Sequence, residues 1–227
     1  MNQWFTSLVA YRRTPAVQAR LDAQAGSIVR AAMTVLSREG FSGLSVAAVA
    51  AEAGVATGTV YKSFSGKAEL VTAVFREVVT REVAAVAAAG SATSAGSATA
   101  TGGEAAVEPA AVPLARDRVT AAVETFAGRA LKNPKLAYVL LAEPVDAAVD
   151  AERLRFRRAF AETFESAVAA GVADGQLPPQ DPRTSATALV GAIGEVLVGP
   201  LAEQLESESV VPELVAFALR ALGIPQS

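Results

Sequence analysis

The sequence predicts an all-α protein, with a three-helix helix-turn-helix head joined to a larger helical domain. Aliphatic residues recur at helical spacing along most of the chain. Glycines and prolines gather in clusters that punctuate those runs. Hydrophobic residues make up 52% of the 227 positions, much of that alanine, enough for one large or two modest cores.

Residues 1–20 read as a basic arm, with Arg12, Arg13 and Arg20 around Pro15. The arm is either a solvated tail or a segment that reaches phosphates or a minor groove. A first helix is expected over residues 21–38, where Ile28, Ala31, Ala32, Val35 and Leu36 form one stripe and Gly40 marks the stop. Ser45 can cap a second, short helix whose inner face is Val49, Ala50 and Ala53, and Gly54 breaks it. A third covers residues 56–63 and completes a head at 21–66. A connecting helix over 67–89 carries Leu70, Val71, Val74, Phe75, Val78 and Val79.

Composition then changes. Residues 90–103 are small and uncharged, and 90–113 read as a flexible linker, because such residues bury too little apolar surface to offset their ordering entropy. Residues 114–227 form the second helical domain. Its helices are expected from Leu114 to the Asn133-Pro134 stop, over 135–141, over 150–171 with Leu154, Phe160, Phe164 and Val168 as anchors, over 183–204 and over 211–222.

Net charge is −3, but it is unevenly spread. Residues 1–80 hold eight Lys/Arg against five Asp/Glu, while the remainder holds twelve against eighteen. A mildly basic head on an acidic body suits DNA binding through the head alone. The absence of cysteine and histidine excludes disulfides, Cys nucleophiles, Ser-His-Asp triads and zinc sites built on those ligands. It also fits a cytoplasmic location. No cofactor and no enzymatic constellation is expected. Glu143, Asp146 and Asp150 read as loop and helix-end charges, and Arg153, Arg155, Arg157 and Arg158 as a solvated, partly paired face, with a site for an anionic ligand or the DNA backbone as the alternative. In the opening MNQWFTSLVAYRR the charges follow the apolar stretch, the wrong order for a signal peptide. The apolar run 184–202 contains Glu195 and reads as a buried helix, so no membrane partner is expected.

The informative segment is 45–70. Two short helices around Gly54 make a helix-turn-helix, with Val49, Ala50, Val55, Val60 and Phe64 setting the interhelix angle. The third helix is small and polar outside its core positions, which suits entry into a major groove. Gly58 lies inside it, where glycine costs about 1 kcal/mol relative to alanine. That cost makes sense if another molecule must approach the backbone closely.

The order Ser45, Val49-Ala50, Ala53-Gly54-Val55, Gly58-Thr59-Val60-Tyr61, Phe64, Lys67, Leu70 resembles the N-terminal domain of the TetR/AcrR (tetracycline-repressor-like) family, over about residues 25–75. The resemblance implies a homodimer whose heads bind double-stranded operator DNA, commonly palindromic, and whose helical body takes a small-molecule effector that releases it. By position it implies phosphate contacts at Ser45, Tyr61 and Lys67, base-edge or phosphate contacts at Thr57 and Thr59, and a DNA-facing Lys62. A partly buried Tyr61 and a merely solvated Lys62 are the plainer alternatives. Many members carry histidine or tyrosine where Ser63 stands, so that contact is in doubt. The resemblance also assigns the last two helices to the dimer interface, with Gly191 and Gly194 permitting close approach. Phe126, Leu131, Tyr138, Leu141, Phe160 and Phe164 are the candidates for an effector cavity, and core packing explains them equally well. A protein of the same fold that acts through a protein partner, without reading an operator, is the alternative function.

Overall fold

A computed structural model describes residues 14–92, 114–204 and 209–225, which form nine helices and no strand among the described residues. Helix α1, Pro15–Gly43, begins where the Thr14 hydroxyl accepts the Val17 amide at 3.4 Å and Pro15 occupies the first turn. The arm is therefore shorter than expected: residues 15–20 are the exposed first turns of α1, because proline at that position helps to start a helix. Arg20 sits on that helix, while Arg12 and Arg13 lie outside the described residues. Gly40, at φ +71°, breaks the helix as its position suggested.

Helices α2, Val46–Glu52, and α3, Thr57–Ser63, lie on either side of Gly54, whose φ of +65° is the left-handed turn the motif requires. Ile28, Val35 and Leu36 of α1, Val49 of α2 and Val60 of α3 close one core with Leu70, Val71, Val74 and Phe75 of α4, Lys67–Ala92. That core does not stop at the head. Leu136, Val139 and Leu140 from α6, Pro134–Leu141, and Val149 from α7, Ala147–Ala173, belong to it as well.

A second core unites α4 from Val86 with α5, Ala115–Lys132, most of α7, α8, Pro182–Glu203, and α9, Val210–Ala221. Helix α4 continues through Gly90 and Ser91 to Ala92, so the expected linker starts later than residue 90, and the rest of it lies outside the described residues. Helix α8 is long and apolar enough to cross a membrane by length and composition. In this fold it buries only Ala186, Leu189, Ile193, Leu197 and Leu201 against its neighbours and leaves the rest of its surface exposed or half-buried, so the expectation of a buried helix holds for one face alone.

Two side chains of α7 depart from expectation. Leu154, read as an anchor, is 51% exposed, and Glu152 takes a buried place instead. The reason lies on α4: Arg76 Nη2 stands 2.7 Å from Glu152 Oε1, and Arg155 pairs with the same oxygen. An ion pair between helices has selected which residue of that turn faces inward.

Candidate nucleic-acid interface and effector cavity

The outer surface of the helix-turn-helix carries mostly small or polar side chains. Ser45 Oγ accepts the Ala48 amide at 3.1 Å and caps α2, and Ser45 remains exposed at that corner. On α3 only Val60 is buried; Thr57, Gly58, Tyr61 and Lys62 are exposed and Thr59 is half-buried. Tyr61 is 55% exposed and therefore does not belong to the core. Neither its hydroxyl nor the Lys62 ammonium has a partner among the described residues. A Cβ added at Gly58 would meet nothing within 4 Å, so no contact among the described residues accounts for glycine at this helical position. Ser63 is half-buried.

Lys67 is placed differently from the others. Its Nζ donates to the Phe41 carbonyl at 2.6 Å and stands 4.0 Å from the centroid of the Phe41 ring. The first residue of α4 thus braces the end of α1. The physical reason is local: the Leu44 amide turns back to the Phe41 carbonyl at 3.3 Å as the helix ends, and Lys67 supplies a second donor to the same oxygen.

In the body, a cavity of about 220 Å³ lies between α4, α5, α6 and α7. Val78, Phe126, Leu136, Leu140, Leu141 and Phe156 supply its apolar wall, and Arg81, Glu82, Arg129, Lys132 and Asn133 its polar lining. Glu82 takes two hydrogen bonds from Arg129, one of them at 2.8 Å, and one from Arg81 at 3.3 Å. Partial burial pushes the Glu82 carboxyl up, but these guanidinium groups hold it below the usual carboxylate range. A second cavity, of about 560 Å³, lies between α4, α5 and α7 and includes Phe164.

Of the six expected cavity residues, Phe126 and Leu141 line the first cavity and Phe164 the second. Phe160, Leu131 and Tyr138 line neither. Phe160 stands behind the wall, edge-on to Phe126 and to Phe156 with ring centroids 4.7 Å away in each case. Leu131 and Tyr138 pack half-buried on the body core. The polar lining was missed because its members come from two helices whose pairing no local spacing announces. Arg129 and Lys132, three apart in the last turn of α5, were the one visible hint.

Helix α6 joins this cavity to the head. Asn133 caps α6 by accepting the Leu136 amide and donates through Nδ2 to Ser37 Oγ at 2.9 Å. Lys135 Nζ donates to the Arg38 carbonyl at 2.8 Å. Beyond the other end of α6, Glu143 Oε2 accepts the Phe41 amide at 3.0 Å, directly after the Gly40 break. Arg153, expected on a solvated face, is instead largely buried. It donates to the carbonyls of Val139, Leu140 and Glu143 and pairs with Asp150. The Val139 and Leu140 carbonyls end α6 and need donors, and Glu143 lies just beyond them; this arginine turns inward to all three while Arg155, Arg157 and Arg158 stay exposed.

Similar folds occur in solved structures. The fatty acid degradation regulator FadR from Bacillus halodurans is 18% identical, with a TM-score of 0.69 over 94% of this chain and 100% of its own. A TetR-family regulator from Rhodococcus sp. is 20% identical, with a TM-score of 0.69 over 88% and 99%. FadR from Bacillus subtilis, in complex with stearoyl-CoA, is 18% identical, with a TM-score of 0.65 over 87% and 95%. No curated protein sequence matches the chain. The family model of bacterial regulatory proteins of the tetR family matches residues 28–74, and that of the tetracyclin repressor-like C-terminal domain matches residues 114–197. Both halves of the molecule thus give one answer: the chain belongs to the TetR family of DNA-binding transcriptional regulators.

Proposed function

We propose that this regulator is a homodimeric repressor that holds a palindromic operator through its two heads and releases it when a small molecule enters the body. The observation that carries this reading is the double membership of α6. The same eight-residue helix lines the 220 Å³ cavity through Leu136, Ala137, Leu140 and Leu141, and contributes Leu136, Val139 and Leu140 to the core of the head. A ligand that displaces α6 must disturb the head, and a head fixed on DNA must resist that displacement, so the two affinities are coupled. A relative of the same fold binding stearoyl-CoA supports a ligand-receiving body.

In this reading Ser45, Thr57, Gly58, Thr59, Tyr61 and Lys62 meet DNA, and Lys67 supports them from within. The exposed sides of α8 and α9 meet the second copy. Val196 and Phe217 are 51% and 40% exposed, and nothing lies within 4 Å of a Cβ added at Gly191 or Gly194. The protein works in the cytoplasm, without a cofactor and without catalysis.

Selection of bound sites from random DNA at several salt concentrations tests the reading. Enrichment of a palindrome is expected, and failure to enrich any site would favour action through a protein partner. Lys62→Ala should lower the salt slope by about 0.9 per head. Lys67→Ala should leave the slope unchanged and lower the melting temperature; the reverse pattern would return Lys67 to the interface. Phe217→Glu should leave a monomer in sedimentation.

A further inference from the structure

We infer that the effector is a small amphiphile with a single anionic group, its apolar body in the cavity and its anion at the cations of the polar lining. This inference rests on the effector reading above and adds the chemical class of the ligand.

The apolar wall sets one half of the ligand. Val78, Phe126, Leu136, Leu140 and Phe156 offer no side-chain hydrogen bond, so a polar group placed among them would go unpaired. The volume shows what body the hollow can admit, and the hollow opens to solvent beyond it. About 220 Å³ exceeds the ~150 Å³ that admits benzene, and suits a ring or a chain of about eight carbons.

The polar lining sets the other half. Two guanidinium groups and one ammonium face a single carboxylate there. Glu82 is already committed to Arg129 and Arg81. Lys132 has no hydrogen bond or ion pair among the described residues. The balance is two positive charges in excess at the rim of an apolar hollow, carried by three side chains that are exposed to solvent. A cationic ligand would have to take Glu82 from two arginines. An anion meets Lys132 unopposed and can share Arg129. The last turn of α5 favours cations through its helix dipole, and this accounts for the sign of Arg129 and Lys132. It does not account for Arg81, which stands in the middle of α4 and lines the same cavity.

The test uses the full-length protein and three probes with one hydrocarbon chain: octanoate, octan-1-ol and octylamine. Binding is measured by calorimetry, with operator affinity measured in parallel. Octanoate should bind at least about tenfold tighter than octanol, and octylamine should bind weakest. Lys132→Ala should weaken octanoate by about three- to tenfold and leave octanol unchanged. Ala130→Leu, which fills the cavity, should weaken both, and Ala137→Leu serves if the first variant does not fold. Octanol or octylamine binding as tightly as octanoate, or octanoate indifferent to Lys132→Ala, overturns the anion inference and leaves a cavity effector standing. No probe binding, or binding indifferent to the filling variants, overturns this inference. Octanoate bound in the cavity with operator affinity unchanged confirms the ligand class and overturns the repressor reading.

Discussion

Helices α3 and α6 are nearly the same length, seven and eight residues, and are built to opposite specifications. α3 buries one side chain, Val60, and exposes Thr57, Gly58, Tyr61 and Lys62, with no partner for Tyr61 or Lys62 among the described residues. α6 buries five side chains, and residues at or beyond its two ends are tied to the head by Asn133, Lys135 and Glu143. On the function proposed above, α3 keeps its bonding capacity for DNA, and α6 spends its own on the two sites it would couple. Short length alone therefore says nothing about role; the distribution of satisfied and unsatisfied groups does.

The largest expected effect breaks α6. Leu140→Ala removes a side chain that belongs to the head core and lines the cavity, and should cost about 2–5 kcal/mol in chemical denaturation. Tyr61→Ala on α3 should stay within about 0.5 kcal/mol while weakening DNA binding. Equal costs for the two would erase the contrast. Next is the tether after α6. Glu143→Ala leaves the part-buried Phe41 amide without its acceptor and should destabilise by about 1–3 kcal/mol, with Glu143→Gln restoring most of that. If α6 couples the sites, Glu143→Ala should also reduce the effect of ligand on operator affinity, measured by titration with and without ligand.

Gly58→Ala sharpens the α3 side. With open space around the added Cβ and a helical backbone, the variant should gain up to about 1 kcal/mol of stability and lose operator affinity. A stabilised variant with undiminished DNA binding would show that nothing approaches the backbone there. The smallest effect concerns pH. The Glu152 carboxyl is held below its ordinary range, first by the hydrogen bond from Arg76, against burial, with Arg155 adding charge. Its folded pKa lies below its unfolded value, so its contribution is complete above about pH 4.3 and is lost as pH falls from there through the lowered folded value. Glu152→Gln should flatten that part of a stability profile, and an unchanged acid limb would remove Glu152 from the account.

The head was readable from sequence because its determinants are local. The Ser45 cap, the left-handed Gly54 and the apolar spacing of Val49, Val55 and Val60 all lie within 16 positions of one another. The helices of the body were readable for the same reason, to within a few residues at their ends. What escaped depends on pairs far apart in the chain. Phe41 and Glu143 are 102 residues apart, Lys135 and Arg38 97, and Arg76 and Glu152 76. No periodicity reports such a pairing, and so the inward turn of Arg153 and the contact of Lys67 with the Phe41 carbonyl are not legible in the sequence. The aromatic half of the cavity was found in part, since aromatic residues attract notice on their own. Its ionic half was not, since Glu82 and Arg129 acquire meaning only together.

The shared core also limits how this molecule can be taken apart. Residues 14–92 would keep every helix of the head and still lose Leu136, Val139, Leu140 and Val149 from its interior. Cutting after α4 would leave an open apolar wound where α6 had lain. A chimera that grafts this reading head onto a foreign sensor body therefore has to carry α6 and the start of α7 with it, or present the head with a substitute of matching shape. The boundary that matters for recombination runs through the middle of the second domain, not along the linker that composition makes conspicuous.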